Sequence, residues 1–269
     1  MEIRFITHSI LCLLLVSSLS ACLEDEPVGG GGDGVNPGTG KYTFWTVISY
    51  ETKLDGLSAI CLNEAGDGIL IARDNGDVLE YDFNGNLQKT NSMPNPDDRS
   101  KVDLEGIARS TDGSTIYLCE ERFREVYSLN ADHKGFTLLS TGPKEASSEE
   151  NQGYEGIASG PGGVLYICNQ SKPFRVYTYN TATKAWATAF DITWAQSLSD
   201  IFYDNEDGTL WITDAKTQRL TRLQTNGTVI ENYDISFVSK PEGFCKDSAH
   251  KLFWFVCDKT NKIFKVSYQ

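Results

Sequence analysis

Short runs of apolar residues alternate with polar turns along most of the chain, and the runs return in one order. Asp103-Leu104-Glu105-Gly106-Ile107-Ala108 comes back as Tyr154-Glu155-Gly156-Ile157-Ala158 and as Pro241-Glu242-Gly243-Phe244, with weaker copies at Leu57-Ser58-Ala59-Ile60 and Leu198-Ser199-Asp200-Ile201. With Ser58, Glu105, Glu155, Ser199 and Glu242 as anchors, the spacings are 47, 50, 44 and 43. After each anchor comes a Gly- and Asp-rich turn of the kind tight hairpins use. A second apolar strand follows, such as Ile116-Tyr117-Leu118-Cys119 or Leu165-Tyr166-Ile167-Cys168. The third strand alternates, as in Arg175-Val176-Tyr177-Thr178-Tyr179, and its period of two with β-branched and aromatic residues is that of a half-buried strand.

A fourth, weaker strand ends four of the units: Leu87–Thr90, Phe136–Leu139, Ala185–Thr188 and Val229–Tyr233. The fifth unit stops at Gln269 after its third strand, and Tyr42–Ile48 stands unused at the other end. The pattern therefore predicts an all-β, five-bladed β-propeller whose last blade is closed by the N-terminal strand, which leaves no open seam. A β-sandwich does not explain a four-strand repeat of about 45 residues, the length of a propeller blade.

The first forty residues read differently. A short charged lead, an apolar run from Phe5 to Leu19 and the closing Leu19-Ser20-Ala21-Cys22 predict a lipoprotein signal peptide over 1–21 with Cys22 as the acylated residue. The apolar run is short for a membrane span. Residues 22–41, with Gly-Gly-Gly-Gly-Asp-Gly inside, predict a flexible acidic tether, and the propeller takes 42–269. Leu23 is not the Asp of an inner-membrane retention signal, and Glu24-Asp25-Glu26 resembles surface-export signals. The expected location is the outer membrane, with the lipid bilayer as a partner through Cys22. A plain solvated spacer accounts for the acidic run equally well.

Charge and cysteines narrow the function. A net charge of −13 argues against nucleic-acid binding through the general field. Beyond Cys12 and Cys22, five cysteines remain, and an odd number forbids complete pairing. Cys119, Cys168 and Cys257 fall in one column of the repeat with Ala72 and Thr213, which reads as small packed groups, with a Cys245–Cys257 bridge as the alternative.

The first strand of a blade lies nearest the axis, and the second returns to the same rim. The anchors and the ends of the second strands should therefore share one channel mouth. That gathers Glu105, Glu155, Glu242, Ser58, Ser199 and Asp200 with Asp74, Glu120, Glu121, Asn169, Asp214 and Asp258, and with Arg73, Arg122 and Lys259 nearby. Carboxylates so crowded need a cation, a base or backbone donors. Oxygen donors suit calcium or magnesium, so Glu105, Glu155 and Glu242 are the candidate metal ligands and calcium the candidate cofactor. The alternative is that these acids accept hydrogen bonds from the next blade and lock the ring. His133 and His250 lie in polar turns, which leaves a Ser-His-Asp triad without a placed base. The glycine run lacks the Lys-Ser/Thr ending of a phosphate loop. A carboxylate pair of the glycosidase kind stays open. The loop Glu145 to Gln152 is expected over the mouth, and Trp194 is the most exposed tryptophan candidate.

The recurring Leu-Glu-Gly-Ile anchor, the acidic residue after the second strand and the count of five resemble the SdiA-regulated (YjiK-like) propellers, which are envelope proteins distantly similar to the esterase-like phytases and lactonase propellers. The resemblance runs from about Lys53 to the C-terminus and implies the fold. Two functions follow as expectations: a binding or scaffold lipoprotein with a cation or an unidentified small-molecule or protein ligand at the mouth, or a calcium-dependent hydrolase of an ester, lactone or phosphoester. No residue is marked out as catalytic.

Overall fold

In the computed structural model, the structure describes residues 26–27, 41–93, 102–130, 135–145 and 152–269. The expected signal segment with Cys22, most of the expected tether, His133 and the interior of the Glu145–Gln152 loop lie outside them. Among the described residues there are twenty-one strands and two single 3-10 turns. None of the described residues forms a helix long and apolar enough to cross a membrane.

In chain order, β1 (Glu26–Pro27) and β2 (Phe44–Glu51) precede the first blade, β3 (Leu57–Leu62), β4 (Gly68–Arg73), β5 (Asp77–Asp82) and β6 (Leu87–Ser92). The second blade is β7 (Leu104–Arg109), β8 (Ile116–Glu120), β9 (Glu125–Leu129) and β10 (Phe136–Thr141). The third is β11 (Tyr154–Ser159), β12 (Val164–Asn169), β13 (Arg175–Asn180) and β14 (Trp186–Asp191). The fourth is β15 (Leu198–Asp204), β16 (Thr209–Asp214), β17 (Arg219–Leu223) and β18 (Val229–Asp234). The fifth has β19 (Pro241–Asp247), β20 (Leu252–Cys257) and β21 (Lys262–Tyr268). Each blade is an antiparallel meander.

The five-bladed propeller is as the repeat predicts. β2 supplies the missing strand, pairing antiparallel with β21 from Phe44↔Tyr268 to Glu51↔Lys262. It starts two residues later than the apolar run suggested and ends three later, and Thr43 still exchanges both backbone bonds with Gln269. β1, inside the expected tether, adds a two-residue ladder to the outer edge of β2. An extended segment beside an unpaired edge satisfies donors and acceptors that would otherwise face water.

The inner strands close a ring: β3 packs on β7, β7 on β11, β11 on β15, β15 on β19 and β19 on β3. The core is five seams rather than one mass. Each hydrophobic cluster joins two consecutive blades, as where Trp211 and Tyr233 of the fourth meet Phe44, Phe253 and Phe255 of the fifth. The inner strands of each blade are largely buried on both faces, so the second strands read as nearly continuous apolar runs, while the outer strands β6, β10, β14 and β18 are mostly exposed or half-buried.

Three glycines let the ring close so tightly. A Cβ on Gly156 would stand 2.6 Å from Asp200 Cα, and one on Gly243 would stand 2.7 Å from Ala59 Cα. One on Gly106 would reach 2.5 Å from Cys119 Sγ, so the thiol fills the room that this glycine leaves. All five described cysteines are free and buried. The column drawn through Cys257 needs correction. Gly106 and Gly156 stand opposite Cys119 and Cys168, but Gly243 stands opposite Val256, and Cys257 pairs with Pro241.

Candidate functional site

Every inner strand is irregular at its anchor. The register against the second strand slips between Leu57 and Ala59, Leu104 and Gly106, Tyr154 and Gly156, Leu198 and Asp200, and Pro241 and Gly243. The residue skipped each time is Ser58, Glu105, Glu155, Ser199 or Glu242. These are β-bulges, which re-aim a side chain out of the strand's alternation. The repeated bulge turns polar anchors of otherwise apolar strands toward one rim.

A pocket of about 300 Å³ opens there. Ser58, Glu105, Glu155 and Glu242 line it, with Asp74, Glu121, Gln170 and Asp258 from just after the second strands, and with Asp103, Arg122 and Lys240. Seven acids thus face two bases. Both bases are engaged: Arg122 Nε donates to Asp103 Oδ2 at 2.7 Å, and Lys240 Nζ lies 2.6 Å from Glu242 Oε1 and 3.1 Å from Asp258 Oδ2.

Glu105 and Glu155 have no ion pair among the described residues. Burial, then the charges of Asp103, Glu121 and Glu242, push Glu105 well above the usual carboxylate range, and it hydrogen-bonds to Asp103. Glu155 is pushed up likewise, by burial and then by Glu105, Glu121 and Glu242, and hydrogen-bonds to Glu121. Burial and the charge of Asp103 push Glu121 up to about 7, although Gly153 N–H donates to its Oε1 at 3.3 Å. Carboxyls in hydrogen-bond contact share protons when nothing else neutralises them.

The oxygen donors of Asp103, Glu105 and Glu121 lie within 4.8 Å of one another. That fits a hard divalent cation: oxygen-only donors, close together, with Arg122 on Asp103 as their one basic partner. The sequence had pointed to Glu105, Glu155 and Glu242 as ligands. The structure keeps Glu105 in the trio, places Glu155 one hydrogen bond behind it on Glu121, and gives Glu242 to Lys240.

Several expected rim residues are placed elsewhere. Glu120, Asn169 and Asp214 sit one position before the pocket column, and alternation turns them into their own turns. Glu120 Oε2 accepts from Phe123 N–H at 2.7 Å, and Asn169 Nδ2 donates to the carbonyls of Ser171 and Pro173. Asp214 accepts from the N–H groups of Gln196, Ser197, Lys216 and Thr217. Asp200 and Ser199 do not line the pocket either. Asp200 Oδ2 accepts from Phe244 N–H at 2.7 Å and Ser199 Oγ donates to Pro241 O at 2.7 Å, so both lock the fourth blade to the fifth. Arg73 is held by Asp55 and Asp77. Lys259 lies in the 3-10 turn after β20 and does not reach the pocket. Trp194 is partly buried against the seam of the third and fourth blades. Asp103, Lys240 and Gln170 were missed; the available signal was their position directly before an anchor strand or after a second strand.

A closed ring of five four-stranded blades with a carboxyl-rich pocket at the axis defines the class. The chain belongs to the phytase-like family described as "Esterase-like activity of phytase", whose model matches residues 52–197. No curated protein matches it. Solved structures with the same fold include Myxococcus xanthus glutaminyl cyclase, at 10% identity and a TM-score of 0.62 over 82% of this chain and 94% of that one. A Xanthomonas campestris gluconolactonase matches at 9% identity and 0.58, over 83% and 89%. A Bacteroides thetaiotaomicron protein of unknown function matches at 11% and 0.58, over 89% and 73%. At these identities the likeness is one of fold.

Proposed function

We propose that the protein is a calcium-dependent hydrolase of esters or phosphoesters, working at the acidic mouth of an envelope-anchored propeller. The observation that carries this reading is the trio Asp103, Glu105 and Glu121, whose oxygens lie within 4.8 Å of one another in a pocket with more acids than bases. A divalent cation there would polarise an ester or phosphoester oxygen. Glu155, hydrogen-bonded to Glu121, is the candidate proton donor, since a carboxyl pushed above the usual range by burial keeps a proton to give. Arg122 and Lys240 border the same pocket and would orient anionic oxygens of a substrate. Family membership supports ester chemistry over a lactone, and the gluconolactonase likeness adds only the fold.

The Leu104-Glu105-Gly106-Ile107 anchor supports a place near the SdiA-regulated propellers, and Leu19-Ser20-Ala21-Cys22 supports a lipid anchor at Cys22 in the outer membrane. The alternative function is a binding lipoprotein that uses the same cation to hold a ligand without turning it over. It rests on the same trio, whose oxygens would hold a cation whether or not a substrate is turned over.

Calorimetry with calcium, followed by p-nitrophenyl acetate and p-nitrophenyl phosphate assays with and without chelator, tests both readings. Saturable binding lost in Glu105→Gln and Glu121→Gln, with chelator-sensitive turnover, is the expected result. Binding without turnover leaves the ligand-holding reading. Absence of calcium binding ends both.

A further inference from the structure

The opposite end of the channel holds a second cavity. It has a volume of about 410 Å³ and shares no lining residue with the acidic pocket. Inner strands form its floor, with Ile107, Ile157, Ile201 and Phe244 from four different blades. Its rim is made of turns between first and second strands. This is the shape of a small-molecule site: an apolar bowl of a few hundred cubic ångströms with a few polar groups at the lip.

The charges on the lip are not equivalent. Lys246 Nζ is committed, at 2.6 Å from both Asp204 Oδ2 and Glu206 Oε2. Asp247 is committed to His250, accepting from its backbone N–H at 3.1 Å and meeting its ring Nδ1 at 2.7 Å. Arg109 at the end of β7 is different. Its Nη2 donates to Glu64 O at 2.5 Å, its Nε is buried without a partner, and it makes no ion pair among the described residues. A guanidinium beside an apolar bowl, with donors to spare while the lining carboxylates Asp204, Glu206 and Asp247 are engaged by Lys246 and His250, offers a fork for a planar anion.

We propose that this cavity binds a small monocarboxylate with an apolar tail, its head on Arg109 and its tail on the isoleucine floor. A chain of about eight carbons is the size a bowl of a few hundred cubic ångströms accepts. The site is distinct from the acidic mouth and does not depend on the hydrolase reading.

The test is calorimetric titration of residues 22–269 with Cys22→Ser, free of detergent, using octanoate and, as the uncharged control, octanol. Octanoate should bind at one site about tenfold more tightly than octanol, the worth of one charge-assisted contact. Arg109→Gln should lower octanoate affinity to that of octanol and leave octanol unchanged. Ala65→Trp, at an exposed position on the lip, should remove both without touching the fold. Octanoate binding that survives Ala65→Trp, equal affinity for the two ligands in the parent chain, or no saturable binding would each overturn the proposal.

Discussion

Burial, and after it the charges of neighbouring acids, push the carboxyls of Glu105, Glu121 and Glu155 above the usual range, and this has a definite sign. A carboxyl whose folded value is raised keeps its proton longer in the folded chain than in the unfolded one. Between the ordinary carboxylate value, about 4.3, and the raised one, the folded chain binds more protons, so stability falls as pH rises. In chelator, the melting midpoint should therefore drop between about pH 5 and pH 8, by several degrees, since about 1 kcal/mol moves a domain of this size by about 2–4 °C. Calcium should remove the dependence, and Glu155→Gln should flatten it. A midpoint that rises over that range in chelator would contradict the arrangement. Glu105, Glu155 and Glu242 were legible because each precedes a glycine in a recurring motif. Asp103 and Lys240 were not, because which neighbour of an anchor reaches the pocket depends on a bulge, and a bulge adds one residue without changing the apolar pattern.

The strands themselves were legible almost throughout, since each carries its own period or apolar run and each turn its own Gly or Asp. The slip at Cys257 shows the limit: an anchor's bulge breaks the one-to-one count, so a column drawn by sequence drifts by one residue. Closure of the last blade was legible from an arithmetic of strands, one missing and one spare. Its energetics rest on Phe44 of β2, which is 5% exposed and packs against Tyr233, Phe237 and Phe253 with centroids at 5.7, 6.0 and 5.6 Å. Phe44→Ala should cost about 3–5 kcal/mol, read as a lower urea midpoint at unchanged slope. Leu87→Ala, on the outer strand β6 with Leu87 51% exposed, should stay within about 0.5 kcal/mol. A small effect at Phe44 would mean that β21 does not need its partner.

The two cavities share an axis but not a lining, and the glycine belt between them is where the inner strands touch most closely. Five strands this near one another leave little room to shift, and coupling between distant sites needs an element with two arrangements that both ligands bias. Inner strands of six or seven residues span about 20 Å, which exceeds the Debye length of about 8 Å at physiological salt, so direct attraction between a cation at one mouth and a carboxylate at the other is screened. The expected behaviour is independence. Calcium affinity should change less than about twofold when octanoate is saturating, a shift of roughly 0.4 kcal/mol. Glu121→Gln should abolish calcium binding and leave octanoate affinity intact, while Arg109→Gln should weaken octanoate about tenfold and leave calcium binding intact. A tenfold shift in either direction would show that the belt transmits, and that the two ends of the propeller act as one site.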